Sequence, residues 1–225
     1  MAQDLTIKVP SIKQTNTASF KQSAIAGIKK YKKNYSAIVT AASTAFGVPE
    51  MVIYGFMVIE NMTATATTVS GSGAIGFMQI IPRWGYGSIW EQRINLNAEF
   101  VKVLKKHAPK VYNGAALRNY NDATAIAETK KALVIPEFNI WLGTLIIAQY
   151  LNASLKKYNA IRLDHVIVRY NSGTSNFKKF IENKGIGGKD TTAIYNAIPQ
   201  VETKSYIVKL LGIDGSMDIQ VKKLA

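Results

Sequence analysis

Residues 49–82 read PEMVIYGFMVIENMTATATTVSGSGAIGFMQIIP, and the change of character inside this stretch decides how the chain folds. From Pro49 to about Met62 the pattern is apolar on every side. A helix of that kind has no solvent face, so it is expected as a buried central helix. It is too short to cross a bilayer. Gly47 closes the helix before it, and Pro49 suits the first turn of the next. Residues 63–76, TATATTVSGSGAIG, turn β-branched and then glycine-rich, which predicts a loop or small hairpin. A short helix is expected from Phe77 to Pro82. Beyond it, RWGYGSIW (83–90) reads as an aromatic loop punctuated by glycine.

Between Met51 and Trp90 there is one acid, Glu60, at the end of the most apolar helix. Burial disfavours the charged form of a carboxyl, and the negative end of the helix dipole acts in the same direction. A carboxyl that keeps its proton near neutral pH is the group that glycosidic cleavage needs on the leaving oxygen. The same position equally suits a solvated glutamate at a fraying helix end. Downstream, the glycines of GSGAIG let backbone approach a ligand closely. Gln79 sits among apolar neighbours, where its amide must find a partner. A phosphate-cradling loop is excluded, because the Lys-Ser/Thr ending is missing.

Working outward, residues 1–20 are polar and lysine-bearing, with Pro10 as a breaker, and read as an extended arm. A short basic helix is expected over 23–35 and another over 36–46, with Ile38, Val39, Ala42 and Phe46 on one face. Residues 91–132 mix helix and polar loop. Helices are expected at 136–158, 163–170 and 203–211, the last stopped by Gly212. The fold class is α+β, predominantly α-helical. The expected organisation is a basic arm over 1–33, a catalytic domain over 34–212 with an insertion at 91–132, and a tail over 213–225.

Composition narrows the chemistry. The 225 residues include no cysteine and only two histidines, His107 and His165, which removes thiol nucleophiles and most zinc sites. No apolar run is long enough to span a membrane. The start does not read as a secretory signal, so delivery by another route is expected. The net charge is +14. Residues 1–33 hold seven lysines against Asp4, whereas 34–90 hold only Glu50, Glu60 and Arg83. A basic shell around a nearly uncharged centre draws a protein to polyanions. Five of the 28 basic residues are arginine, without the arginine–aromatic clustering that reads bases, so specific nucleic-acid binding is not expected.

Glu60, Ser70 and the run GSGAIGFMQIIP together resemble the signature of the soluble lytic transglycosylase family, within the lysozyme-like superfamily. There a glutamate precedes a Ser-x-x-Gly-Ala-x-Gly-Leu-Met-Gln-(Ile/Val)-x-Pro pattern. Gly73, Ala74, Gly76, Met78, Gln79 and Pro82 match, and Phe77 replaces the leucine. Three further blocks follow in the family's order: NIWLGT (139–144), RYNSG (169–173) and ETKSY (202–206).

The resemblance implies a lysozyme-like fold with a small β-hairpin or loop lobe, and cleavage of the β-1,4 bond between N-acetylmuramic acid and N-acetylglucosamine in peptidoglycan. Glu60 would be the single general acid/base, Tyr206 would lie near it, and Ser70, Gly76, Met78, Gln79, Tyr170 and Asn171 would line the substrate site. No cofactor and no metal are expected. The family places serine directly after its glutamate, whereas here Asn61 follows, whose amide can also orient a carboxyl. A lysozyme-type hydrolase of the same fold, or a wall-binding structural protein, would share these features. Trp84, Tyr86 and Trp90 would stack on sugars or pack in the core. The composition fits a bacteriophage protein acting at the bacterial wall, carried in the virion or used in lysis. Its arm or its 91–132 insertion would then contact other virion or tail proteins.

Overall fold

The computed structural model describes residues 8–63, 65–112 and 119–225. Residues 1–7 of the expected arm, Ala64, and residues 113–118 of the expected insertion lie outside the described residues. Packing divides the chain into one unit of residues 30–146 and another of residues 1–29 with 147–225. Two long helices, α1 (Ala18–Phe46) and α6 (Pro136–Tyr158), contribute residues to both. Where two helices were expected over 23–46 there is one. Neither proline nor glycine interrupts residues 34–36, and the buried positions Ala24, Ile28, Tyr31, Val39 and Ala42 continue at helical spacing through the expected break.

In the 30–146 unit, α2 (Glu50–Glu60) is the buried helix its all-round apolar pattern requires, with Val52 to Ile59 all inside. The next segment corrects two expectations. Residues 77–81 form no helix, because Gly76 (φ +80°) and Gln79 (φ +42°) leave the right-handed region. Instead Ile75 and Ile80 exchange both backbone hydrogen bonds at 3.1 Å across a tight turn. Residues 83–90 are not a loop but lie within α3 (Pro82–Glu91), opened by Pro82 in its first turn. The small hairpin lobe is reduced to the antiparallel bridges Val69↔Ile75 and Ile75↔Ile80, with no named strand among the described residues. Two capped helices complete the unit. Asn97 caps α4 (Ala98–His107) and Asp122 caps α5 (Ala123–Ala132) through side-chain oxygens.

In the other unit, α7 (Leu163–Ser172) packs on α8 (Thr174–Phe177) and on α10 (Val201–Leu211). A π-helical turn, Lys178–Glu182, then α9 (Thr191–Ala197) and α11 (Ser216–Val221) complete it. The chain before α1 is tied down by backbone hydrogen bonds: Ser11 N donates to Leu211 O, Asn16 N to Ile213 O, and Ile213 N to Gln14 O. No single helix among the described residues is long and apolar enough to cross a membrane.

Candidate functional site

Glu60 is the last residue of α2 and is half-buried. What fixes the end of that helix is the residue after it. Asn61 is 4% exposed; its N–H closes the helix on Met57 O at 2.9 Å, and its amide Nδ2 donates to Thr65 O (2.8 Å) and Gly76 O (3.2 Å). Its Oδ1 accepts from the Thr63 hydroxyl at 2.8 Å. The Tyr31 hydroxyl donates to the Asn61 carbonyl at 2.5 Å. Burial holds the Tyr31 phenol far above its ordinary pKa, so it remains a donor at any working pH. The Asn61 amide is therefore spent on backbone carbonyls, tying the catalytic candidate's helix end to the glycine loop.

The loop itself is held by Asn139 of α6, which is 1% exposed. Asn139 Nδ2 donates to Ile75 O and Leu133 O, both at 2.9 Å, and Oδ1 accepts from Met78 N at 2.8 Å. Gly76 lies against this amide so closely that a Cβ there would stand 2.3 Å from Asn139 Nδ2. Met78 is fully buried, its side chain laid over Gly143, where an added Cβ would come within 2.6 Å of it. Gln79, half-exposed, donates from Nε2 to Gly76 O at 2.8 Å. Ser70 Oγ accepts from Ala74 N at 3.1 Å and pairs with Ser72 Oγ at 2.9 Å. The structure thus joins Glu60's helix end, Gly76, Met78, Gln79 and Ser70 through one hydrogen-bonded segment. Met78 holds a packing position there.

Tyr170, Asn171 and Tyr206 belong to the other unit, and the α7–α10 pair positions them. Asn171 Oδ1 accepts from the buried Thr203 hydroxyl at 2.6 Å, and its Nδ2 donates to Glu202 at 3.5 Å. Tyr170 and Tyr206 are both half-exposed. Gly173, at φ +86°, ends α7 directly after Ser172. Among the described residues no group of His, Asp and Glu could hold a metal ion. Sequence reasoning missed Tyr31 and the bonds of Asn61. Tyr31 has no local signal, since it meets the carbonyl of a residue thirty positions away. Tyr86 resolves toward packing: it is fully buried and donates its hydroxyl to Asn119 O at 2.7 Å.

The described residues are mostly helical with almost no strand, consistent with a lysozyme-like helical fold. A solved structure with this fold is that of an inactive mutant of the lytic transglycosylase Slt from Pseudomonas aeruginosa. It matches with a TM-score of 0.54 over 87% of this chain at 17% identity. The chain spans about a quarter (25%) of that protein's length. No family model matches the chain, and neither does any curated protein.

Proposed function

We propose that this chain cleaves the β-1,4 bond between N-acetylmuramic acid and N-acetylglucosamine in peptidoglycan, with Glu60 as the single acid/base. The observation that carries this reading is Glu60 at the end of a buried helix, locked through Asn61 to a glycine loop that bears the family's motif residues. The lysozyme-like fold supports it. Glu60 gives its proton to the glycosidic oxygen as the bond to the muramic anomeric carbon breaks. The substrate's acetamido group stabilises the positive charge that develops. The resulting carboxylate then takes the proton of the muramic 6-hydroxyl, whose oxygen bonds to the anomeric carbon. The product is a 1,6-anhydro ring, no water is consumed, and Glu60 is reprotonated for the next turnover.

Ser70, Gly76, Met78, Gln79, Tyr170, Asn171 and Tyr206 belong to this proposal as residues that bind substrate or shape its site. Carriage by a bacteriophage particle and action at the bacterial wall belong to it as well. Copurification of the chain with particles tests that part.

Glu60→Gln is expected to lower clearing of purified peptidoglycan by roughly a hundredfold or more, the usual size of a lost acid/base, with an unchanged melting curve. Clearing at the parent rate would remove Glu60 from the chemistry. Mass spectrometry of the digest is expected to show 1,6-anhydro ends. Reducing ends would instead assign water as the attacking group.

A further inference from the structure

Trp84 is the one aromatic side chain in the exposed class among the described residues, with 54% of its surface free. It stands on α3, which begins where the glycine loop ends. The Arg83 guanidinium lies over its ring, 5.3 Å from the centroid, and Arg83 Nη2 also donates to Asn121 Oδ1 at 3.1 Å. Half-buried Trp90 repeats the arrangement. Arg93 covers its ring at 3.8 Å and donates from Nη1 to the Trp90 carbonyl at 2.9 Å, while Tyr120 meets it edge-on at 5.6 Å. Six residues separate the two tryptophans, about 9 Å along the helix axis.

The opposite side of α3 fixes this display. Tyr86 and Ile89 are fully buried, and Gly85 lies so near the Ile80 and Leu142 side chains that a Cβ would stand 2.8 Å from Ile80 Cγ2. The helix cannot roll to bury Trp84 without driving its glycine face apart. Exposing an indole forgoes hydrophobic stabilisation, so an exposed, arginine-covered indole beside a ligand loop is a feature to be explained.

We propose that this face of α3 is a glycan-docking surface, on which Trp84 stacks against a sugar ring of the bound strand while Arg83 and Arg93 meet carboxylates that the strand carries. The proposal rests on the function given above and adds a contact outside the Glu60 loop. A sugar offers a C–H face to an indole, and planar arginines match carboxylates two bonds at a time. An anionic bilayer fits less well. A bilayer offers charged headgroups but no C–H sugar face for the indole.

The test uses the full chain carrying Glu60→Gln, so that polymer is bound without being consumed. Adding Trp84→Ala is expected to weaken pelleting with purified peptidoglycan sacculi about five- to tenfold, the size of one stacking contact. Trp84→Phe is expected to restore most of it. In the Glu60 parent, Trp84→Ala is expected to raise the sacculus concentration at half-maximal rate by the same factor, with the limiting rate within about twofold. Because Trp84 is exposed, the melting curve should not move. Unchanged pelleting, a loss confined to the limiting rate, or a loss on phosphatidylglycerol vesicles but not on sacculi would each overturn the docking surface. A parent chain that binds sacculi through Trp84 but leaves every glycan bond intact would overturn the proposed enzyme and spare the docking surface.

Discussion

Asn61 carries more of the site than its position beside Glu60 first promises. Its amide serves the carbonyls of Thr65 and Gly76, its oxygen serves Thr63, and its own carbonyl holds the Tyr31 hydroxyl. A serine there, as in the family that the sequence resembles, would offer one hydroxyl donor where the amide of Asn61 offers two. Asn61→Ala is expected to remove the donor to Thr65 O and one of the donors to Gly76 O, which still accepts from Gln79, and to cost about 1–3 kcal/mol for the two lost hydrogen bonds. Thermal melting reads the loss, and clearing activity should fall alongside it. A melting point within a degree of the parent would show that the tie is dispensable. Glu60 stood out in the sequence as the lone acid between Met51 and Trp90, and the structure puts it at the end of α2. Two of the bonds that hold its helix end were not legible, because Tyr31 and Gly76 lie thirty and fifteen positions from Asn61 and meet it only after folding.

Among the elements, those whose apolar residues recur at helical spacing, or run on every side as in α2, were legible. α2, α6, α7 and α10 lie where their spacing put them. α3 was misread because glycine and aromatic residues alternate in RWGYGSIW, a composition shared by loops. The physical reason for the glycines is close approach: Gly85 sits against Ile80 and Leu142, and Gly87 under the Tyr120 ring. This reverses the ordinary sign of a helix substitution. On an exposed helix Gly→Ala gains about 1 kcal/mol. Here the added methyl meets the branched end of Ile80 at 2.8 Å, and overpacking of that kind typically costs 1–3 kcal/mol. Gly85→Ala is therefore expected to lower the denaturation midpoint, and a stabilised variant would show that α3 is free to shift. The π-helical turn at Lys178–Glu182 and the short α8 and α9 carried no periodic signal strong enough to read.

At the scale of the whole chain, the basic surplus was plain from composition, while the acid-sensitive group was hidden. His165 has no exposed surface, packs between the Tyr158 and Phe177 rings at 4.9 Å each, and places Nδ1 3.0 Å from Ser154 Oγ. Burial lowers its pKa from 6.5 to about 4. Nearby Asp164 opposes the shift and the Arg162 and Arg169 charges add to it. The unfolded chain binds this proton near pH 6.5 and the folded chain only near 4. Stability from neutral His165 is thus complete above 6.5 and lost as pH falls toward 4, by about 3 kcal/mol at most. Urea midpoints between pH 7 and 4 are expected to fall across this window, and His165→Gln should flatten the profile. An unchanged profile in that variant would place the titration elsewhere.

The backbone bonds between residues 11–16 and 211–213 have a consequence for how the protein is made. A ribosome delivers residues 30–146 as one continuous length, which can begin to fold while the rest is still being synthesised. The segment before α1 has to wait, because its partners are nearly two hundred residues downstream, Asn16 Nδ2 and Ile213 O being 197 positions apart. Closing so long a loop is slow and comes late. A newborn chain therefore carries residues 11–16 without these partners until residues 208–213 have been made, and premature termination before residue 208 removes the partners they meet.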